Sequence, residues 1–173
     1  NLLEEVGTIL KGVEGIETIS SKDMDLVVSY GERISSIIVA SVLDAKHWNS
    51  LELVKTDKGI KKNVLNSELT YSNIDRAYNG EHRVVMGGFI SSDTETGEIT
   101  NLGRGGSDYT AAIVAGALNA EALEIWTDVD GFLTADPRLV RNAYTIENMS
   151  YIEAVELSNF GAKVIYPPTI YPV

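Results

Sequence analysis

Apolar residues recur along this chain in two rhythms, and the change from one to the other predicts its elements. Leu2, Leu3, Val6, Ile9 and Leu10 stand at helical spacing, which predicts an opening helix followed by a connector around Gly12 and Gly15. Leu26, Val27, Tyr30, Ile34, Ile37, Ile38 and Val42 keep that period and predict one long helix from residue 23 to about 43. Gly31 interrupts it, where glycine costs about 1 kcal/mol relative to alanine, so close packing or a ligand is expected there. Residues 51–56 read as a short strand, 57–66 as a lysine-rich surface loop, and 69–78 as a helix stopped by Asn79-Gly80.

The second half alternates more quickly. Arg83-Val-Val-Met-Gly-Gly-Phe-Ile90 reads as a buried strand running into two glycines, which predicts a close approach to the backbone at Gly87-Gly88. Glu95-Thr-Gly-Glu98 suggests a hairpin tip within a turn-rich stretch. The run from Tyr109 to Leu118 is helical, with small residues that let a helix lie close on a sheet, and 122–127 is a strand followed by the turn Asp128-Val-Asp-Gly131. Thr134-Ala-Asp-Pro-Arg138 is a proline-fixed turn presenting Asp136 and Arg138, 152–157 is helical, and the chain ends in an apolar, proline-broken stretch. Strand, helix and strand in this order predict a βαβ unit, hence a parallel sheet covered by helices. Ligands bind outside the carboxyl ends of such strands, where Gly87-Gly88, Gly103 to Asp108 and Thr127-Asp128 would all lie.

Asn101-Leu-Gly-Arg-Gly-Gly-Ser-Asp108 is the chemical centre of this pattern. Glycines permit a positive φ and close approach of a ligand. Successive N–H groups at a helix N-terminus form a concavity for anions, and Arg104 adds a fork of donors for a carboxylate or phosphate. An ordinary helix start, with Ser107 or Asp108 as the cap, is the simpler alternative. A cap, however, requires one such residue and not three glycines and an arginine.

Composition narrows the partners. Fourteen Lys and Arg against 25 Asp and Glu give a net charge of −11, which argues against nucleic acid or an anionic membrane. An anionic ligand must then meet a local group of cations. With no cysteine there is no disulfide framework or thiolate metal site, and His47 and His82 lack metal-like spacing. No apolar run approaches the ~20 residues of a membrane span. A cytoplasmic protein is expected, and the absence of an initiating methionine and of a polar tail suggests a piece of a longer one.

Walker-A, G-x-G-x-x-G, G-x-S-x-G and H-E-x-x-H patterns are all missing. What remains is a glycine-lined edge with Arg104, Arg138 and Lys163 among Asp108, Asp128 and Asp136. That inventory suits phosphoryl transfer, in which a protein mainly positions two anions and neutralises charge. A carboxylate acceptor fits best, since it is already ionised at neutral pH and requires no general base.

Six stretches in order, Ser29-Tyr-Gly-Glu-Arg-Ile-Ser35, Gly87-Gly-Phe-Ile90, Asn101 to Asp108, Thr127-Asp-Val-Asp-Gly131, Thr134 to Arg138 and Phe160-Gly-Ala-Lys-Val164, resemble the motif series of the aspartate kinases of the amino-acid kinase superfamily. The resemblance runs from about residue 23 to the end. It implies an α/β fold, a three-layer αβα sandwich around a mostly parallel central sheet. Residues 1–173 would form one catalytic domain cut at both ends, with 1–100 mainly on the amino-acid side and 101–173 mainly on the nucleotide side. The activity implied is transfer of the ATP γ-phosphate, with Mg2+, to the β-carboxylate of L-aspartate, leading to lysine, threonine and methionine. Glu32 resembles the partner of the substrate amino group, and Arg104 the holder of its carboxylate, with Phe89 and Ser107 beside it. Asp108 resembles the aspartate that organises a catalytic lysine, and Thr127, Asp128, Leu133, Asp136, Arg138, Lys163 and Val164 fall where the family binds ATP. No protein metal site is implied.

The family's Lys-Phe-Gly-Gly-Thr-Ser motif is absent from these 173 residues, so this stretch alone is expected to be impaired. Leu133 replaces a frequent adenine-stacking tyrosine, and Tyr166 a frequent histidine. A homodimer, with regulatory domains or a fused homoserine dehydrogenase in the parent chain, is also implied. The related kinases of glutamate, acetylglutamate and uridylate, and a non-catalytic binding domain of the same fold, are the alternatives.

Overall fold

The computed structural model describes residues 1–14, 19–60, 62–162 and 164–173, apart from the side chain of Val13. Helix α1 (Leu2–Val13) is followed by the long α2 (Ser21–Val42), which Ser20 caps by accepting from the Asp23 N–H at 3.1 Å. Strand β1 (Lys46–Trp48), the single turn α3 (Ser50–Leu53), β2 (Lys55–Asp57) and β3 (Val64–Leu65) come next. Then come α4 (Ser67–Ala77), β4 (Val84–Met86), β5 (Ile90–Asp93), β6 (Ile99–Asn101), α5 (Gly106–Ala117) and α6 (Tyr151–Asn159). A 3-10 turn at Pro167–Ile170 lies near the end.

The described strands form two small sheets. β1 and β4 pair in parallel, while β3-β2-β5-β6 is mixed, with β2 and β5 parallel and both outer pairs antiparallel. Side chains alternate faces along a strand, and β1 shows what that does. His47 meets Ser36 of α2 at 3.1 Å, whereas its neighbour Trp48 enters the cluster with Leu53, Ile74 of α4 and Ile113 of α5. Helix α2 therefore covers one face and α4 with α5 the other, which is the three-layer αβα arrangement. Ile74 and Ile113 are fully buried, and Tyr78 packs edge-on to Trp48 with ring centroids 6.4 Å apart.

Several elements differ from expectation. Residues 51–56 divide into α3 and β2, because Asn49 accepts from the Leu51 N–H and starts a helical turn. Residues 83–90 are two strands: β4 ends at Met86 and β5 begins at Ile90 in the other sheet, with Gly87-Gly88-Phe89 between them. Part of the expected loop 57–66 is strand, since Val64 pairs with Asp57. Gly12 lies inside α1, whereas Gly15 lies outside the described residues. Gly31 is exposed, and a Cβ there would meet nothing within 4 Å, so neither packing nor crowding requires it. The small residues of α5 serve the C-terminal segment, since a Cβ at Gly116 would fall 2.3 Å from the Pro172 carbonyl oxygen.

The expected strand at 122–127 forms no ladder, and the βαβ unit is not closed. Leu123 and Ile125 remain half-buried between exposed Ala122, Glu124 and Trp126, so the period of two survives. A strand also requires a neighbour for its N–H and C=O groups, and none of the described strands lies beside this one.

Candidate active site

The site is assembled where β4 hands over to β5 across the start of α5. Gly87 is buried, and a Cβ there would come within 3.1 Å of the Glu32 carbonyl oxygen and 3.3 Å of Glu32 Cβ. This approach holds half-buried Glu32 of α2 against the loop. At Gly88 a Cβ would stand 2.8 Å from Ser107 Cα, so the loop rests directly on the first turn of α5. The Ser50 hydroxyl donates to the Gly87 carbonyl from the other side.

Phe89 adopts φ 68, a left-handed conformation that costs a non-glycine residue about 1–2 kcal/mol. It is held there by both backbone groups. Its N–H donates to Thr110 Oγ1 at 3.0 Å, and its carbonyl accepts from Leu102 N–H at 2.9 Å. Its ring then meets Gly106, where a Cβ would stand 2.9 Å from Phe89 Cδ2. Thr110 was missed in the sequence because a threonine inside an apolar helix carries no local sign of a partner 21 residues away.

Gly103 (φ 75) and Gly105 (φ 66) carry the chain through left-handed turns into α5, and Gly105 itself is the N-cap, with no side-chain cap bond. The simpler alternative, an ordinary helix start capped by Ser107 or Asp108, is therefore not what the structure has. Gly106 N–H reaches the Gly103 carbonyl at 3.0 Å, while the N–H groups of Ser107 and Asp108 find no acceptor among the described residues. Free donors at the positive end of a 12-residue helix are an anion cradle. Arg104 projects from this turn, exposed and without an ion-pair partner among the described residues, and Asp108 is half-buried on the first helical turn. Asn101 fixes the loop. Its amide donates to Asp25 of α2 at 2.6 Å and its Oδ1 accepts from Gly103 N–H at 2.8 Å. An Asx turn before glycine is legible in sequence, but a partner 76 residues away is not.

Leu133, Asp136, Arg138 and Val164 line one open cavity of about 600 Å³, which also takes in Phe160 and Gly161. Two residues beyond Val164, Tyr166 lies so close to Gly105 that a Cβ there would fall 2.4 Å from the tyrosine Cβ. The segment 164–166 therefore joins this cavity to the glycine turn. Thr127 and Asp128 are exposed, bonded to each other at 3.1 Å, and do not line the cavity. Lys163 lies outside the described residues.

Asp136 accepts from Arg138 Nη2 at 2.7 Å and Nε at 3.0 Å, and from its backbone N–H at 2.9 Å. The guanidinium first, and the backbone N–H second, lower the Asp136 pKa from 3.8 to about 2. A depressed folded-state pKa stabilises the turn fully above the unfolded value of 3.8, and that contribution is lost as pH falls through about 2. In a carboxyl-carbon NMR titration of the folded chain, Asp136 is expected to remain ionised through pH 3, and Arg138→Gln to move its midpoint toward 3.8. A midpoint unmoved by the substitution would remove the guanidinium as the cause.

The sequence profile of the amino acid kinase family matches residues 5–173. The chain belongs to the amino acid kinase family. Similar family members include the aspartokinase of Geobacillus stearothermophilus, 40% identical over 87% of this chain and 38% of that protein. The bifunctional aspartokinase/homoserine dehydrogenase of Buchnera aphidicola is 39% identical over 98% of this chain and 21% of its own length. Among solved structures of the family, Escherichia coli aspartokinase III in complex with aspartate and ADP superimposes with a TM-score of 0.87. It is 34% identical, and the match covers 99% of this chain and 39% of that one. The chain thus spans between about a fifth and two fifths of these relatives.

Proposed function

We propose that this chain is part of the catalytic domain of an aspartate kinase, which transfers the ATP γ-phosphoryl group to the β-carboxylate of L-aspartate to give 4-phospho-L-aspartate, the first step toward lysine, threonine and methionine. The observation that carries the proposal is the uncapped start of α5, set between Glu32 and Phe89 on one side and the segment leading to the 600 Å³ cavity on the other. The relatives named above are aspartokinases, and one is a complex with aspartate and ADP, which supports the same substrates here.

In this proposal Glu32 pairs with the substrate ammonium, while Arg104, with Phe89 and Ser107 at its side, holds the carboxylates. The β-carboxylate oxygen forms a bond to the γ-phosphorus as the bond from that phosphorus to the β–γ bridging oxygen breaks, and the electron pair leaves with ADP. No proton moves, so no base is required, which agrees with a site built from glycines, an arginine and free N–H groups. Asp108 positions a cation near the phosphates. Leu133, Asp136, Arg138 and Val164 hold the nucleotide, with Thr127, Asp128 and Lys163 completing that side. Among the described residues no group of three or more His, Asp or Glu could hold a metal ion. The donor set therefore fits Mg2+ arriving on the triphosphate, where it would neutralise phosphate charge, better than a protein cage. A cytoplasmic homodimer is part of the same proposal, and further domains in the parent chain are suggested by the bifunctional relatives. No helix among the described residues is long and apolar enough to cross a membrane.

Calorimetry of the chain with L-aspartate and with ADP, paired with coupled ADP release by the complete protein carrying it, tests the proposal. Aspartate is expected to support turnover, and glutamate, N-acetylglutamate and UMP to give less than about a tenth of that rate. Preference for one of those three would reassign the chain within its family. Ligand uptake without turnover in the complete protein would make it a binding domain.

A further inference from the structure

We propose that the cleft between α1, α2 and β1 is a second ligand site, for a small carboxylic acid with an apolar body and no cationic group. The cleft encloses about 290 Å³ and is lined by Leu2, Arg33, Ser36, Ile37 and His47, with Ser50 and Ile90 at its inner end. That volume lies just below the range of sites for drug-sized ligands and suits an acid of a few carbons.

Charge points to the ligand class. The chain carries 25 acidic residues against 14 Lys and Arg, yet no Asp or Glu lines this cleft. Arg33 has no ion-pair partner among the described residues, and its guanidinium carbon lies 4.7 Å from the Tyr30 ring centroid, so the fork is held by stacking and its N–H donors remain for a ligand. The Ser36 hydroxyl donates to the Arg33 carbonyl at 3.2 Å and lies 3.1 Å from His47 Nε2, which puts two further polar groups on the wall beside the guanidinium. A carboxylate facing the half-buried Arg33 guanidinium can make the strong, bidentate form of hydrogen bond. Leu2, Ile37 and Ile90 give the apolar wall. With no carboxylate in the lining, an ammonium group would be left unpaired, which excludes a free amino acid as the preferred occupant.

The position also matters. Arg33 follows Glu32 in α2, Ser50 donates to the Gly87 carbonyl, and Ile90 follows the strained Phe89. An occupant would touch three groups that adjoin the cradle described above. The site follows from the cleft's own geometry and does not depend on the kinase proposal.

The test is NMR titration of the chain with 3-methylbutanoate, the isosteric 3-methylbutanamide, and leucine. The acid is expected to shift the amides of Arg33, Ser36 and Ser50 and the ring of His47 in a saturable way, leaving the exposed His82 unmoved. The amide and leucine are expected to bind at least about tenfold more weakly, and Arg33→Gln to weaken the acid by about tenfold, with Arg33→Lys retaining part of the affinity. No saturable shift with the acid, an equal response to the amide, affinity untouched by both Arg33 variants, or shifts confined to Arg104 and Ser107 would each overturn the proposal. Should the glutamine variant not fold, the lysine variant and the amide decide the matter.

Discussion

Arg104→Ala is expected to lower aspartate-dependent ADP release by the complete protein at least about a hundredfold in kcat/KM, or ~2.7 kcal/mol at the transition state. The size follows from electrostatics. An anionic acceptor must approach a triphosphate on a chain whose net charge is −11, so every cation at the meeting point counts. Arg104 stands on the turn between Gly103 and Gly105, beside the free N–H groups of Ser107 and Asp108, and is the cation this turn offers. Its exposure and lack of an ion-pair partner among the described residues leave it no share in the core, so the unfolding midpoint should stay within the ±0.5 kcal/mol usual for surface changes. Arg104→Lys should recover part of the rate, because it restores charge but not the planar fork. Exposed Arg141 provides the control, and its alanine variant should match the parent. Undiminished turnover in Arg104→Ala, with KM for aspartate unchanged, would show that the acceptor binds elsewhere.

Legibility in the sequence followed the range of the interaction. Helix α2 was readable almost to its ends because a 22-residue amphipathic period is a local signal, closed by a serine cap at Ser20. The Glu95–Glu98 hairpin tip was readable for the same reason. What local pattern could not reveal was which strand joined which sheet. Residues 84–90 carry no charged or polar side chain to mark a break, and only the tertiary contacts of Gly87 with Glu32 and of Gly88 with Ser107 show why the strand breaks there. Residues 122–127 have the right alternation for a strand, but ladder formation depends on a neighbour the pattern does not contain. At the candidate site, Glu32, Phe89, Arg104 and Ser107 were named from motif resemblance, and the structure gathers Glu32, Phe89 and Ser107 around Gly87 and Gly88, with Arg104 on the adjoining turn. The nucleotide side divides, with Leu133, Asp136, Arg138 and Val164 sharing a cavity and Thr127 and Asp128 standing outside it. Thr110 had no such signal, and although Asn101 opens the quoted motif and Tyr166 stood out as a replacement, the contacts of all three are ones that only folding creates.

Gly88→Ala separates close packing from backbone strain as the reason for the glycines. Gly88 is not among the positive-φ glycines, so alanine brings no conformational penalty of that kind. Its new Cβ would instead fall 2.8 Å from Ser107 Cα and 2.9 Å from Ser107 Cβ, atoms that cannot swing aside by a rotamer change. Either the loop lifts or the start of α5 moves, and the expected loss is about 2–3 kcal/mol in urea unfolding, the upper part of the overpacking range. Gly103→Ala is the opposite case, with φ 75 and open space around the new methyl, so about 1–2 kcal/mol of left-handed strain is all it should show. Binding should separate the two further. Lifting the loop takes Gly88 off Ser107 and carries the adjoining Phe89 with it, so Gly88→Ala should weaken aspartate binding by at least about tenfold, ~1.4 kcal/mol, when measured by calorimetry under conditions where the variant is fully folded. Gly103→Ala leaves that contact in place and should weaken it less. A Gly88→Ala protein as stable as its parent, with aspartate affinity intact, would mean that the loop and the helix do not meet, and the cradle built on their contact would fall with it.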